Sequence, residues 1–308
     1  MRYGTGVALV VAAGLLWSSQ GLIFRQIEVA GPWAILFWRS LGMVPVIVAT
    51  LMLRAARGGG LGQLAAALRV GRAGWLGAIG LVAAFAGAIY AIQITTIANA
   101  VFLFSATPFL AALIGWGFLR ERVTAATWGA IALALLGIFV MVRGGPADAS
   151  GGAAAGNIAA LVSALGFAVF TVSLRAGGAG DPLPMVAMGG VLAILIAVVV
   201  AAAQGEPLAV PLPDRAWALF MGAVTLSGGM LLYSHGSRVV PAAQMALLAN
   251  IEVLLGPLLV WLVLGETAGR HVFLGGAVLV VAVTLNGLAG ARQHRAAQRA
   301  VGPAETVA

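Results

Sequence analysis

Between Trp75 and Leu119 the chain carries no charged residue. As one continuous helix that stretch would be roughly 67 Å long at 1.5 Å per residue. A bilayer's hydrocarbon is about half as thick. The stretch must therefore break, and Thr95-Thr96-Ile97 is the expected place. The rest of the chain has the same character, 62% hydrophobic and 8% charged. So few charges cannot cover a water-soluble domain. No polar stretch is long enough to fold alone, and an all-α polytopic membrane protein is expected.

A helix spanning the hydrocarbon needs about 20 apolar residues. Ten such spans are read, at Thr5–Phe24, Trp33–Leu53, Gly74–Ile94, Asn99–Leu119, Thr124–Val142, Ala153–Leu174, Leu183–Ala203, Ala216–Tyr233, Ala242–Leu264 and Val272–Leu288. The first has the short basic start of a signal peptide. It lacks a clean small-x-small cleavage site, so it reads as a retained helix.

The spans form two copies of one unit. Ala98–Glu121 recurs at Ala243–Glu266 when shifted by 145 residues. Leu matches mean little in apolar helices, but Trp116-x4-Glu121 falls on Trp261-x4-Glu266. A Trp anchors at the interface, and a Glu just beyond it ends the span in headgroups or water. More faintly, Trp17 and Phe167 place an aromatic in the middle of the first helix of each unit, and Arg25 and Arg175 end those helices. The units expected are 1–145 and 150–290, joined by the Gly-rich loop Arg143–Gly152 and followed by a basic tail, 291–308.

All 17 basic residues are Arg, and the formal charge is +8. They are scattered over short loops, which excludes a nucleic-acid surface. With the N-terminus in the cytoplasm, twelve Arg fall inside, four outside and Arg39 within a span. This bias places both termini in the cytoplasm. With five spans per unit the second unit is inverted, the architecture of many secondary transporters. The absence of cysteine removes disulfides, thiolate metal sites and Cys nucleophiles.

Ionisable residues within spans are candidate functional groups. Glu252 lies near the midplane, as a protonated packing residue, an ammonium ligand or a proton carrier. Arg39 lies about 9 Å below the outer boundary. It either snorkels or pairs with Glu28, or it captures a substrate carboxylate. At about 100° per residue, Trp17, Gln20, Gly21 and Phe24 share one stripe. Asn99, Phe102, Ser105 and Ala106 share another, and Gln244, Leu248 and Glu252 a third. Interhelical hydrogen bonding is the plain reading for Ser105 and Asn250. For Tyr90 and Tyr233, near span ends, the plain reading is interfacial belting. Glycines at 74, 77, 80, 87, 222, 228 and 229 permit close helix contacts. Pro108 and Pro257 free the carbonyls of Phe104 and Val253, and both fall in the fourth helix of a unit as possible gates. An intramembrane enzyme would need a membrane Asp pair, HExxH, or a Ser nucleophile with an embedded His. The Asp residues read as loop residues and the His residues lie at span ends or in the tail, so no such constellation is found.

This pattern resembles the EamA family of the drug/metabolite transporter superfamily. The resemblance rests on Pro108–Glu121, Ile251–Glu266, WRSLG around Arg39 and LLWSSQG around Trp17. The family's frequent Glu-Pro-Val is here Glu252-Val253, with Pro257 further on. The resemblance implies export of small metabolites, amino acids or drugs from the bacterial inner membrane. Within the family the chain resembles the YddG-like amino acid exporters. The expected protein has a central cavity between inverted repeats, lined by Trp17, Tyr90, Asn99, Phe102, Phe167 and Tyr233. Gln20, Arg39, Gln244 and Glu252 are further substrate-binding candidates. No cofactor or metal is expected, and a monomer suffices. A proton-coupled exporter of cationic drugs is the alternative. A carrier of larger anions such as nucleotide sugars would need more cavity cations than Arg39.

Overall fold

A computed structural model describes residues 3–58, 71–120, 123–143, 152–177, 181–236 and 251–300, and every element in them is helical. Among the described residues, nine helices are long and apolar enough to cross a bilayer. They are α1 (Tyr3–Phe24), α2 (Pro32–Arg57), α3 (Gly71–Ile94), α4 (Ile97–Phe118), α5 (Ala125–Val142), α6 (Ala154–Leu174), α7 (Leu183–Gln204), α8 (Leu212–Gly236) and α10 (Arg270–Ala289). A shorter apolar helix, α9 (Ile251–Leu264), lies between α8 and α10. The helix of α10 runs on to Ala300, so the expected tail begins as a helical extension.

The uncharged stretch breaks where expected. Ile94 ends α3, and Thr96 takes an extended conformation. The Thr96 hydroxyl accepts from the Asn99 N–H at 3.2 Å, the bond that starts a helix. A second break lies just before Pro108, the residue read as a kink that frees the Phe104 carbonyl. α4 is interrupted by a turn at Ser105 and Ala106 and resumes at Thr107. Pro108 cannot donate to the Phe104 carbonyl, and the Thr107 hydroxyl donates to it instead at 2.7 Å. In α9, by contrast, the helix continues through Pro257 without a break.

Small residues set which helices touch. An ideal Cβ on Gly80 of α3 would lie 2.6 Å from the Gly166 carbonyl oxygen of α6. One on Gly137 of α5 would lie 2.7 Å from the Gly275 oxygen of α10. Backbones therefore meet directly, as in small-residue membrane contacts. The contacts come in pairs that exchange the first five helices with the last five. α3 packs on α6 as α8 does on α1, α2 on α8 as α7 on α3, and α4 on α6 as α9 on α1. α2 with α7, α4 with α9 and α5 with α10 are their own counterparts. One core gathers Ile35, Leu36, Met43, Ile47, Leu81, Leu183 and Met221. A second joins α4, α5 and α10 through Leu103, Phe109, Met141 and Leu279.

The end of the bundle holding Arg25, Glu206 and Glu266 is the one that the Arg count assigns to the outside, and is called the outer end here. Asp214 lies there in the first turn of α8, not in a loop as read from sequence, and is 4% exposed. Its carboxylate accepts from the backbone N–H groups of Glu28, Val29 and Ala30. Glu206 accepts from the N–H groups of Trp33 and Ala34 at the start of α2. These carboxylates fasten the α1–α2 connection to α7 and α8.

Candidate functional site

α8 presents two glycines on one face, Gly222 and Gly229. Around the first of them the helix widens into a π turn, Met221–Leu226. The Ser227 N–H and hydroxyl both reach back five residues to the Gly222 carbonyl. Such turns recur at functional sites. The bare Cα of Gly222 lies against the Arg39 carbonyl, and Gly229 lies beneath the Trp17 indole. The widened stretch of α8 thus seats the Arg39 backbone of α2, and the regular turns after it seat Trp17 of α1.

Both side chains hold unused donors. Trp17 packs on Tyr233 with ring centroids 5.7 Å apart, and its Nε1 is buried without a hydrogen-bond partner. Arg39 is 6% exposed, so it does not snorkel. It forms no ion pair with Glu28 among the described residues. Its guanidinium lies 4.6 Å from the centre of the Phe85 ring. Nε and Nη2 are buried and have no hydrogen-bond partner among the described residues, and the same holds for the hydroxyl of the adjacent Ser40. A ring face offsets part of the lost hydration of a cation. A buried charge without a counter-ion is nonetheless expensive, and Arg39 has none among the described residues.

The remaining candidates divide. Gln20 begins the second segment of α1, half-buried after the turn at Ser19. Phe167 is partly buried and packs on Phe170 at 5.4 Å, against the same core that Trp17 touches. Glu252 lies in the first described turn of α9, and its carboxylate has no partner among the described residues. Three expected cavity residues lie elsewhere. Asn99 is buried and donates to Thr95 Oγ1 and Asn157 Oδ1, at 3.0 and 2.6 Å, so its amide is occupied in joining α4 to α6. Phe102 lies on Gly276 of α10, inside the second core. Tyr90 is 42% exposed and lines a groove of about 380 Å³ with Pro32, Trp33, Ile158 and Val162. That groove opens at the outer edge of α3 and α6, away from Trp17. Gln244 and Asn250 lie outside the described residues.

Sequence reasoning treated Glu266 as a boundary marker and missed its partner. Arg25 binds it through two nitrogens. The signal was present, since both residues recur at matching positions of the two units. Asp214 and Glu206 gave no such signal, because their partners are backbone N–H groups.

A family model described as the EamA-like transporter family matches residues 4–143 and matches again at 154–288. The fold is shared with solved structures. One crystal structure of a protein 17% identical superposes with a TM-score of 0.64, over 92% of this chain and 97% of its own. At that identity the likeness is one of fold. No curated protein matches the chain.

Proposed function

The chain belongs to the EamA-like transporter family, and from that premise we propose that it exports small carboxylate-bearing metabolites, neutral and aromatic amino acids foremost. On this reading ten spans form two inverted units, 1–145 and 150–290, in the bacterial inner membrane, with both termini and the 291–308 tail in the cytoplasm. Support comes from the two family matches, the exchange-related contacts and the Arg distribution. The cavity lies between the units, and alternating access rocks them around it. The family is one of transporters, and an intramembrane enzyme has no support in it.

The observation that carries the substrate class is Arg39, a buried guanidinium with two unpartnered donors. A substrate carboxylate would supply the missing anion through charge-assisted hydrogen bonds. Trp17 and Tyr233 offer a tilted aromatic pair for an apolar side chain, with the indole N–H available to a polar atom. Glu252 would take the ammonium group. A mostly apolar pocket distinguishes similar side chains by only about 1–3 kcal/mol per methylene, so the range of cargo is broad. A second reading rests on Glu252 alone. A mid-span carboxylate without a described partner suits a proton-coupled exporter of cationic amphipathic drugs.

Counterflow in proteoliposomes separates the two. Vesicles are preloaded with unlabelled free amino acids, their methyl esters or cationic drugs, and labelled substrate is followed with and without a pH gradient. Exchange of free acids but not esters is expected. Arg39→Gln should lower it by ~10–100-fold, the equivalent of about 1.4–3 kcal/mol. Trp17→Ala should shift aromatic against aliphatic rates, and Glu252→Gln should slow transport at matched insertion. Esters moving as fast as acids would overturn the carboxylate assignment. Gradient-driven movement of cationic drugs alone would establish the second reading.

A further inference from the structure

Four helix ends meet on one ion pair at the outer end. Arg25 follows the last residue of α1. It donates Nε to Glu266 Oε2 at 2.8 Å and Nη2 to Oε1 at 3.1 Å. The same guanidinium donates Nη1 to the Ile92 carbonyl at 3.3 Å and Nη2 to the Thr95 carbonyl at 3.4 Å, where α3 ends. Glu266, just beyond α9, also accepts from the Ile97 N–H at 2.8 Å, where α4 begins. One guanidinium and one carboxylate thus tie together α1, α3, α4 and α9, the first three from one half of the chain and the last from the other.

We propose that the Arg25–Glu266 pair is the outer latch of the transport cycle, closed in this structure and broken each time the cavity opens outward. The proposal rests on the transporter reading but not on any particular cargo. A bidentate Arg–carboxylate pair is directional. Moving α9 away from α1 therefore breaks both of its bonds together, and the Ile97 bond with them. That makes opening an all-or-none event. The exposure of the pair suits the role. The Arg25 and Glu266 side chains are 30% and 21% exposed, so water is at hand to solvate each charge on release. The neighbouring clamp differs on this point. Asp214 is buried beneath three backbone N–H groups and has no such route, so the α1–α2 connection stays on α8 while the latch opens.

The chain has no cysteine, so an introduced thiol is the single reporter. Gln20→Cys, near Trp17, is reconstituted in proteoliposomes of one orientation. Its alkylation by a membrane-impermeant maleimide added from the outer side is timed without any substrate. Glu266→Gln is expected to raise the rate at least about fivefold by shifting the population toward outward-open. Arg25→Lys, which keeps the charge and loses the fork, should raise it less. Arg25→Gln, which removes the cation, should raise it as far as Glu266→Gln does. An unchanged rate in Arg25→Lys and in Glu266→Gln overturns the latch. If Glu266→Gln fails to insert, Arg25→Lys and Arg25→Gln decide alone. Because no substrate is present, a null result in amino acid counterflow leaves this readout intact, and the two proposals fail separately.

Discussion

Asp214 illustrates what one carboxylate does at this outer end. Its two oxygens accept three consecutive backbone N–H groups, at 3.3, 2.9 and 2.8 Å, and no charged partner is involved. Asp214→Ala leaves the buried Ala30 N–H unpaired, while the Glu28 and Val29 groups belong to exposed residues that water can reach. The expected loss is about 1–3 kcal/mol, the usual cost of one buried unsatisfied group. A thermal melt of the detergent-solubilised protein checks it, and Asp214→Asn should fall between Ala and wild type. A melting temperature unchanged in Asp214→Ala would mean that the connection is held by other contacts. Arg39 shows the opposite condition, a charge over the Phe85 ring with no counter-ion among the described residues. In sequence Asp214 reads as a loop residue and Arg39 as a charge within a span, and neither reading gives the atoms around it. Those are a matter of local geometry, which no pattern of residue types records.

At the scale of elements, chemistry that is identical in sequence has different outcomes. Pro108 and Pro257 each remove one helical hydrogen bond, in corresponding helices of the two units. Near Pro108 the helix breaks, and Thr107 satisfies the freed carbonyl. At Pro257 the helix runs on, buried beside Gly256 and Val260. A proline frees a carbonyl, and the neighbours decide whether the chain turns. Glycine positions were more legible, because a missing Cβ in an apolar helix has few uses besides close approach. The α3–α6 contact is the sharpest case. A Cβ on Gly166 would enter the space of the Gly80 carbonyl and the Ala84 N–H. Backbone cannot yield as a side chain can. Gly166→Val should destabilise the fold by at least about 1–3 kcal/mol, the usual range for overpacking. Gly117→Val, whose Cβ meets nothing, is the matched control. Equal monodisperse yield from both would show that α6 can shift without cost.

For the whole molecule, the exchange-related contacts and the Arg bias together call for one arrangement across the bilayer. Val29 and Arg57 are exposed residues near opposite ends of α2. A thiol at Val29→Cys should react with an impermeant maleimide on intact cells, and one at Arg57→Cys only after permeabilisation. Labelling of both from the same side would overturn the inside–outside assignment.

The sequence alone determined that this chain lies in a membrane, nearly where its helices lie, and that its unit is repeated. These properties follow from transfer free energy and helix rise, which depend on residue type and spacing and on little else. The break at Thr96 belongs to the same class, because no helix of that length fits a bilayer. Only the tertiary structure decided what the polar residues do. Arg25 meets Glu266 across 241 positions of chain. Asn99 meets Asn157, and Arg39 meets no counter-ion among the described residues. A polar side chain in an apolar interior is governed by the few atoms within hydrogen-bond reach. Which atoms those are depends on how helices distant in sequence come to lie side by side.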